Sequence, residues 1–490
     1  MIYGHDPRTG ETVGTALPET DRAGVDMVVS AAAAAGAAWR ATPAAERAEA
    51  LEAVADALAA KVDELWQTAD SETALGEVRL RGEVARTAGQ FRLFAQVLRD
   101  GGYVDAIIDH GDPSATPPRP DVRRMKHPLA GVVAVFAASN FPFAFSVAGG
   151  DTASALAAGC AVVVKAHPGH PNTSEQVARI VRKALPYPDL LGLVQGMQAG
   201  ADLVQHPSVA AAGFTGSVAG GKAIQGLIDE REVPIPFFGE LGSVNPVVVL
   251  PSAPMAEVAT GFAASLTMGV GQFCTNPGLM FVPEDDELRK ALVEAVEGAT
   301  GGPMLAERIR DGYLGGLQRL GELPVLAEGK AGEGSWAVTP KVFTTDLDSF
   351  AKKLPGIGEE CFGPASIVVT YREISDLRPV LERLEGSLTA TVHATDPGEA
   401  GEVVEVLGRR AGRLIWNGWP TGVAVCWAMH HGGPWPATTA AAHTSVGATA
   451  IDRWLAPTAY QDWPEELLPE ELRDDNPLSV PRRVDGALGR

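Results

Sequence analysis

The chain has 490 residues, of which 46% are hydrophobic and 21% are charged, and its formal net charge is −21. This length exceeds what one hydrophobic core supports, so the sequence predicts two or three domains. The negative charge argues against non-specific binding of nucleic acid and against docking on an anionic membrane. We therefore expect neither nucleic acid nor a membrane as a partner.

The cysteines and the N-terminal segment indicate the compartment. The four cysteines, Cys160, Cys274, Cys361 and Cys426, lack the spacing of a disulfide framework or a zinc site. Residues Met1–Val13 lack the apolar centre of a signal peptide. No apolar run approaches the roughly 20 residues of a membrane span. The sequence thus predicts a cytoplasmic protein with reduced thiols and no bound metal.

The N-terminal part of the chain is predicted to be helical, because its apolar residues recur at helical spacing. The predicted helices are Asp21–Arg40, Pro43–Thr68 and Leu75–Arg99. The proline-rich segment Gly111–Pro120 follows them and is predicted to be a loop.

From Gly131 onward, short apolar strands alternate with helices such as Ala144–Ala158 and Asn172–Ala184. The first series of predicted strands comprises Gly131–Phe136, Ala161–Lys165, Leu191–Gln195, Val209–Phe214 and Ile235–Phe238. A second series includes Asn245–Leu250, Leu279–Val282, Ser366–Thr370 and Leu388–His393. This alternation predicts an α/β fold with parallel, doubly wound sheets. The tail after Trp454 is rich in proline and acidic residues and is predicted to be an extended arm.

Cys274 is the strongest candidate for a nucleophile. It follows Gly269-Val-Gly-Gln-Phe, where glycines allow backbone N–H groups to approach a bound oxyanion. Cys160 lies at the edge of a predicted buried strand and reads as a small core residue, and Cys361 and Cys426 have the same interpretation. Most cysteines are structural, so the local sequence alone leaves both interpretations of Cys274 open.

Two polar residues end predicted strands. Glu240, in Phe-Phe-Gly-Glu-Leu-Gly-Ser, would face a crevice if its strand belongs to a parallel sheet. The alternative is a solvated charge at a strand end. Asn140, in Ala-Ala-Ser-Asn-Phe-Pro-Phe, could donate its amide to an oxyanion or could simply form a turn before the Phe-Pro pair.

The glycine-rich run Phe214-Thr-Gly-Ser-Val-Ala-Gly-Gly-Lys222 leaves a strand and opens a helix, a geometry that binds phosphate. It approaches the Walker A pattern, but Ala223 stands where a hydroxyl would hold Mg²⁺, which argues against an ATPase. A G-x-G-x-x-G fingerprint is also missing after the predicted strands, which argues against a standard Rossmann dehydrogenase.

In order along the chain, these segments resemble the aldehyde dehydrogenase superfamily. Ser139-Asn-Phe-Pro142 resembles its oxyanion motif, Glu240-Leu-Gly its general-base motif, and Gly271-Gln-Phe-Cys274 its nucleophile motif. Its cofactor-binding segments resemble Val164-Lys165, Phe214-Thr-Gly-Ser217 with Gly221, and Glu359-Glu-Cys-Phe-Gly-Pro364. The resemblance implies Cys274, Glu240 and Asn140 as catalytic residues. It also implies that a nicotinamide cofactor is bound by Lys165, His167, Gly216, Ser217, Gly221, Glu360 and Phe362.

The resemblance further implies that Cys274 forms a thiohemiacetal and then a thioester, which water activated by Glu240 hydrolyses to the acid. A CoA-acylating or phosphate-dependent reductase on the same scaffold is one alternative, and the presence of Glu240 favours hydrolysis over it. A non-enzymatic binding protein with this fold is a second alternative, which the intact catalytic residues disfavour.

A closer resemblance is to bacterial α-ketoglutaric semialdehyde (2,5-dioxopentanoate) dehydrogenases. It rests on the stretches Ser146–Gly159, Lys165–Pro168, Glu240–Pro246 and Met429–Thr439. The implied reaction is oxidation of the small aldehyde 2,5-dioxopentanoate to 2-oxoglutarate. This subgroup also contains NADP-dependent enzymes of broader specificity, so a dehydrogenase of fatty or aromatic aldehydes is the alternative.

The cofactor preference depends on a few positions. Many NAD-preferring relatives have a glutamate three residues after the lysine, where this chain has Pro168, so Lys165 and His167 are available to a 2′-phosphate. Close relatives often have an arginine in the turn, where this chain has Ala219. NADP is therefore predicted first, with NAD as the alternative.

The resemblance also predicts the domain organisation: a cofactor-binding domain over 1–240, interrupted by an arm strand at about 115–128, a catalytic domain over 241–430, and a return segment and oligomerisation arm over 431–490. Strands near Val122–Lys126 and Leu455–Gln461 are expected to pair between the subunits of a homodimer or homotetramer. His430, His431 and His443 form no convincing metal set and are predicted to be loop or substrate-channel residues.

Overall fold

The computed structural model describes residues 1–354 and 356–490. Its N-terminal part is a β-hairpin followed by helices: β1 (Ile2–His5), β2 (Thr12–Leu17), α1 (Arg22–Arg40), α2 (Ala44–Ala59), α3 (Val62–Thr73) and α4 (Glu77–Asp100). The predicted helix Pro43–Thr68 is divided into α2 and α3, because the chain turns at Ala60 and Lys61. The hairpin was not predicted from the sequence.

The first parallel sheet follows, and its strands alternate with helices as predicted. Its elements are β5 (Val132–Phe136), α5 (Gly150–Ala158), β6 (Ala161–Lys165), α6 (Pro171–Ala184), β7 (Leu191–Val194), α7 (Met197–Gln205), β8 (Val209–Thr215), α8 (Val218–Asp229) and β9 (Phe237–Glu240). The strand order is β7-β6-β5-β8-β9, and every pair is parallel. The chain moves outward from β5 first through β6 and then through β8. This reversal opens a crevice at the carboxyl ends of the strands, where ligands bind in such sheets.

The second sheet contains seven strands in the order β13-β15-β16-β11-β10-β17-β18. The elements of this part are β10 (Pro246–Val249), α9 (Met255–Thr267), β11 (Leu279–Pro283), α10 (Asp286–Gly298), β12 (Gly302–Pro303), α11 (Glu307–Leu320), β13 (Val325–Glu328), β14 (Ala337–Val338), β15 (Lys341–Asp346), α12 (Leu347–Lys353), β16 (Ala365–Tyr371), α13 (Arg378–Leu381), β17 (Ser387–His393), α14 (Gly401–Leu407) and β18 (Ala411–Trp416). Only the edge strand β13 runs antiparallel to its neighbour, while β12 and β14 form a separate pair.

A third, five-stranded sheet combines distant parts of the chain in the order β19-β4-β3-β20-β21. Its strands are β3 (Ala106–Asp109), β4 (Val122–Pro128), β19 (Leu455–Gln461), β20 (Arg482–Val484) and β21 (Ala487–Gly489). The strands predicted near 122–126 and 455–461 both exist, but they pair with each other within one chain. This pairing leaves the outer edges of β19 and β21 open, so pairing between subunits stays a prediction for the free edge of β19.

Apolar packing holds these layers together. One core joins the first sheet to helices α1–α6 and contains the buried rings of Trp39 and Trp454. Separate clusters cover the two faces of the seven-stranded sheet, around Phe281 on one face and Phe262 on the other. Among the described residues, no helix combines the length and the apolar character that crossing a bilayer would require.

Candidate active site

Four strands of the first sheet present the predicted site residues at the same edge. Asn140 follows β5, Lys165 ends β6, Gly216 follows β8, and Glu240 ends β9. Because these strands are parallel and adjacent, their carboxyl ends meet at the crevice described above. The topology therefore explains why residues far apart in the sequence lie close together.

The loop that carries Cys274 has a constrained backbone. Gly269, Val270 and Gly271 all have positive φ angles, of 55°, 57° and 66°. A side chain at position 271 would also collide with the backbone of Gly363 and Pro364. Glycine is thus required at 271 both by conformation and by the close approach of two backbones. This contact packs the nucleophile loop against the segment that follows Glu360.

Hydrogen bonds fix the position of Cys274 within this loop. Asn245 donates from Nδ2 to the carbonyl oxygen of Cys274 at 2.9 Å, and Asn276 donates to that of Gly363 at 3.0 Å. The side-chain oxygen of Gln272 accepts from the backbone of Leu305 at 3.0 Å. Asn245 and Gln272 were not singled out from the sequence, since their partners lie far from them along the chain.

Asn140 lies against the same loop. Its Nδ2 donates to the carbonyl oxygen of Gln272 at 2.9 Å, which leaves one of its two amide hydrogens for another acceptor. The guanidinium of Arg79 donates to the Asn140 carbonyl oxygen at 2.7 Å and lies 4.8 Å from the ring centre of Phe273. Arg79 thereby joins the Asn140 turn to the nucleophile loop.

The structure brings Glu240 and Cys274 together around His431. Nε2 of His431 lies 3.1 Å from Oε1 of Glu240 and 3.6 Å from Sγ of Cys274. The Ser445 hydroxyl donates to the other oxygen of Glu240. His431 lies in a loop, as predicted, and its side chain is fully buried beside the two predicted catalytic residues. His431 belongs to the distinctive stretch Met429–Thr439, but no feature of the sequence places it beside Cys274 and Glu240.

The pKa values of Glu240 and Cys274 shift in opposite directions. Burial raises the pKa of Glu240, but the charge of His431 and hydrogen bonds from His431, Ser445 and Cys274 outweigh burial and hold it below its usual value. Desolvation, together with the charges of Glu240 and Glu360, raises the pKa of the Cys274 thiol well above its usual value. At neutral pH this arrangement therefore combines a carboxylate with a protonated thiol, and the thiol needs a proton acceptor before it can attack.

Two arginines lie within electrostatic range of the Cys274 thiol. Desolvation lowers the pKa of Arg86 in α4, and the charges of Glu83, Cys274 and Glu240 oppose that effect. Burial likewise lowers the pKa of Arg413 in β18, and the charge of Cys274 opposes it. Within the described residues, Nε and Nη2 of Arg86 and Nε of Arg413 are buried without a hydrogen-bond partner. Unpaired buried guanidinium nitrogens are costly, so they indicate an anion-binding position.

Basic side chains gather at the end of β6, where the sequence predicts cofactor binding. The Lys165 side chain is buried, and burial together with the charge of Arg308 lowers its pKa to about 8. His167 lies nearby, and burial and the neighbouring His170, Lys165 and Arg308 lower its pKa well below its usual value. The sequence did not point to Arg308, which comes from α11 of the other sheet region.

The predicted phosphate turn has the expected local geometry. Ser217 caps α8 by accepting from the backbone of Gly220 at 3.1 Å, so the free N–H groups of the helix begin at the crevice. At Gly221 a side chain would meet Leu241 at 2.5 Å, and at Gly216 one would meet the Phe214 ring at 2.5 Å. These glycines allow the turn to pack closely, and this part of the site fits a nucleotide.

Glu360 and Phe362 lie on the opposite wall. Burial raises the pKa of Glu360 to about 8. Its carboxyl group lies so close to Gly242, two residues after Glu240, that a side chain at position 242 would collide with it. Phe362 is half-buried in the same segment. A carboxyl group here accepts hydrogen bonds well, as a ribose hydroxyl would require. The residues present therefore fit a dinucleotide running from the α8 turn towards Cys274.

Sequence comparison gives the same assignment. The model of the aldehyde dehydrogenase family matches residues 2–434. The chain is 47% identical to α-ketoglutaric semialdehyde dehydrogenase 2 of Azospirillum brasilense over 500 residues, covering 98% of this chain and 95% of that protein. It is 43% identical to α-ketoglutaric semialdehyde dehydrogenase of Acinetobacter baylyi, covering 95% and 91% of the two chains.

Solved structures share the fold. An NAD-dependent aldehyde dehydrogenase from Sinorhizobium meliloti superimposes with a TM-score of 0.81 at 24% identity, covering 94% of this chain and 91% of that one. A mutant of aldehyde dehydrogenase C from Pseudomonas syringae, in complex with NAD⁺ and octanal, has a TM-score of 0.81 at 22% identity, covering 94% and 93%. Family, fold and site agree: this chain belongs to the aldehyde dehydrogenase family and oxidises an aldehyde with a nicotinamide cofactor.

Proposed function

We propose that the chain oxidises 2,5-dioxopentanoate, or a small aldehyde that similarly carries a carboxylate, to the corresponding acid. The observation that carries this proposal is Arg86. Its Nε and Nη2 are buried without a partner among the described residues, and its guanidinium lies within electrostatic range of the Cys274 sulfur. The similarity to proteins named as α-ketoglutaric semialdehyde dehydrogenases supports the same substrate class.

Two aromatic rings flank the Arg86 guanidinium, while the carboxylates of Glu83 and Glu240 act on it by charge but leave its Nε and Nη2 without a hydrogen bond. The guanidinium carbon lies 5.8 Å from the ring centre of Phe141 and 5.5 Å from that of Phe145. Aromatic faces attract a cation but do not use its N–H donors. Those donors therefore remain available to a carboxylate, which arginine binds through two parallel hydrogen bonds. A fatty or aromatic aldehyde would leave them unpaired.

In the proposed reaction, the Cys274 sulfur attacks the aldehyde carbon to form a thiohemiacetal. His431, whose Nε2 lies 3.6 Å from Sγ, accepts the thiol proton. The Asn140 amide stabilises the oxyanion, and one such donor typically lowers the barrier by about 3 kcal/mol. A nicotinamide cofactor held by Lys165, Ser217 and Glu360 would supply the hydride acceptor, and loss of a hydride from the thiohemiacetal carbon gives the thioester.

Glu240 then activates the water that hydrolyses the thioester and regenerates the thiol. Its depressed pKa keeps it ionised, and so able to take a proton from water, at neutral pH. A thioester passed to CoA would not need this carboxylate, so the geometry favours hydrolysis over CoA acylation. Stimulation of turnover by CoA would favour the acylating alternative.

A comparison of substrates tests the substrate class. With 2,5-dioxopentanoate, kcat/KM should exceed that with pentanal or benzaldehyde by about one to two orders of magnitude, because one arginine–carboxylate contact contributes about 1.5–3 kcal/mol. Steady-state assays with NAD and with NADP provide the measurement. Equal values for charged and neutral aldehydes would instead support an aldehyde dehydrogenase of broad specificity.

We further propose NADP as the preferred cofactor. Lys165, Arg308 and the α8 turn together offer positive charge near the end of β6, and the exposed Pro168 supplies no acid to repel a 2′-phosphate. NAD lacks that phosphate, so the two cations contribute less to its binding. The absence of an arginine at Ala219 makes this preference moderate in size.

The binding of NADP should weaken as pH rises through about 8, the pKa of Lys165. Below this pH the ammonium is charged and attracts the 2′-phosphate, whereas above it the amine is neutral and the attraction is lost. If the cation is essential, the Kd of NADP rises roughly ten-fold between pH 7 and 9. Isothermal titration calorimetry with NADP at each pH measures this Kd.

Two controls isolate this effect. Glu360 also titrates near pH 8 and would affect both cofactors, so the Kd of NAD over the same range corrects for it. The Lys165→Arg variant keeps its charge and should lose the pH dependence for NADP. A Kd for NADP that follows the Kd for NAD at every pH would contradict contact between Lys165 and the 2′-phosphate.

We also propose a cytoplasmic homo-oligomer with the domains 1–240, 241–430 and 431–490. The four cysteines, all within the described residues, are free, as expected in a reducing compartment. The open edges of β19 and β21 support association through the third sheet, as a dimer or a dimer of dimers.

A further inference from the structure

We propose that Cys274, His431 and Glu240 together form a binding site for a thiophilic divalent cation of the zinc type, whose occupancy reversibly blocks the nucleophile. This site is distinct in function from the aldehyde chemistry, and it follows from the positions of three ligand atoms whichever aldehyde the enzyme oxidises. The three atoms are Sγ, Nε2 and Oε1, and the ligand atoms of the three residues lie within 4.8 Å of one another.

The distances match a tetrahedral zinc ion. Zinc binds sulfur at about 2.3 Å and nitrogen at about 2.0–2.1 Å, so tetrahedral angles separate these two atoms by about 3.6 Å. Sγ of Cys274 lies 3.6 Å from Nε2 of His431. Nitrogen and oxygen ligands are separated by about 3.4 Å around such an ion, and here Nε2 and Oε1 of Glu240 are 3.1 Å apart. The third pair, Sγ of Cys274 and the carboxylate oxygen of Glu240, lies within 4.8 Å, so side-chain adjustment would bring all three atoms onto one ion.

The orientation of His431 differs from that of the base in a nucleophile–base–carboxylate relay. In such a relay the thiol meets one ring nitrogen and the carboxylate meets the other. Here both Sγ and Oε1 approach Nε2, while Nδ1 is buried without a partner among the described residues. The sulfur and the carboxylate oxygen thus both lie beside the same ring nitrogen, and the three atoms are close enough to share one cation.

The chemistry of the donors also suits zinc. A thiolate, an imidazole and a carboxylate are its common protein ligands, and three of them leave a fourth position for water. The pair of negative charges neutralises a divalent ion once the thiol proton is released. The Ser445 hydroxyl holds the second oxygen of Glu240, and such supporting hydrogen bonds orient ligands around protein-bound zinc.

Occupancy would inhibit the enzyme directly. The sulfur lone pair that attacks the aldehyde would be bound to the cation, and Glu240 could no longer activate water. Inhibition should therefore be competitive with the aldehyde, have a stoichiometry of one ion per chain, and be reversed by a chelator.

Cobalt provides the spectroscopic test, because Co²⁺ occupies zinc sites and its colour reports the geometry. Adding Co²⁺ to the purified, chelator-treated enzyme should produce the visible bands of a tetrahedral ion and a thiolate-to-cobalt charge-transfer band. Both should disappear when Zn²⁺ is added. The His431→Asn variant should bind Co²⁺ at least about 100-fold more weakly, since even loss of a group that only supports a ligand costs 10–100-fold.

Matched controls use the neighbouring residues. The half-buried His430 and the exposed Cys426 belong to neither the catalytic nor the cofactor site, so His430→Asn and Cys426→Ser should bind Co²⁺ as the unaltered enzyme does. Alkylation of Cys274 in the Cys426→Ser protein should abolish binding, and this measurement does not depend on the folding of the His431 variant.

Three results would overturn the proposal. They are a cobalt spectrum without the thiolate band, a spectrum that survives alkylation of Cys274, and an unchanged Co²⁺ affinity in a folded His431→Asn variant.

Discussion

Replacing Cys274 by alanine should lower kcat for aldehyde oxidation by at least about 10⁴-fold, because no other group can form the covalent adduct. The side chain is small and its loop is held by backbone contacts and by Asn245, so the variant should remain folded. The measurement is the formation of reduced cofactor with a saturating aldehyde, together with the melting temperature.

The Glu240→Gln variant is the informative comparison for this experiment. It removes the carboxylate that activates water but leaves the thiol and His431 in place, so it should give a burst of reduced cofactor followed by slow turnover. A missing burst would implicate Glu240 in removing the thiol proton. A Cys274→Ala enzyme with normal kcat would overturn the proposed mechanism.

Replacing Arg86 by leucine should lower kcat/KM for 2,5-dioxopentanoate by about 100-fold, since a carboxylate loses about 3 kcal/mol of charge-assisted hydrogen bonding. The value for pentanal should change by no more than about two-fold, because that substrate has no group for the guanidinium. Steady-state kinetics on both aldehydes measures this change in specificity. The Arg86→Lys variant should recover part of the loss, since it keeps the charge but not the paired geometry.

Arg92 offers a matched control on the same helix. Its guanidinium forms an exposed ion pair with Asp56 at 2.8 Å, so Arg92→Leu should leave both kinetic values unchanged. Equal losses for both aldehydes in Arg86→Leu would show that Arg86 supports the loop rather than the substrate. No loss for either would exclude its contact with the carboxylate and direct attention to Arg413.

Much of the fold was predictable from periodicity. Buried parallel strands such as Val132–Phe136 are continuous apolar runs, and local composition specifies them together with the helices between them. The break between α2 and α3 was missed, since alanine-rich helical periodicity continues across it. The pairing of β4 with β19 also could not be predicted, because strand partners are chosen by tertiary packing across 333 positions from His127 to Tyr460.

The sequence alone indicated the family and predicted Cys274, Glu240 and Asn140 as catalytic residues, because these residues lie in short motifs whose order along the chain is distinctive. Only the tertiary structure placed His431, Arg86, Arg308 and Ser445 at the site, which they reach from α4, from α11 and from the loop after β18. The physical reason is that a motif records local backbone requirements, such as the positive φ of Gly271. Charged groups and ligand atoms from distant parts of the chain can be placed together only once the tertiary packing is known.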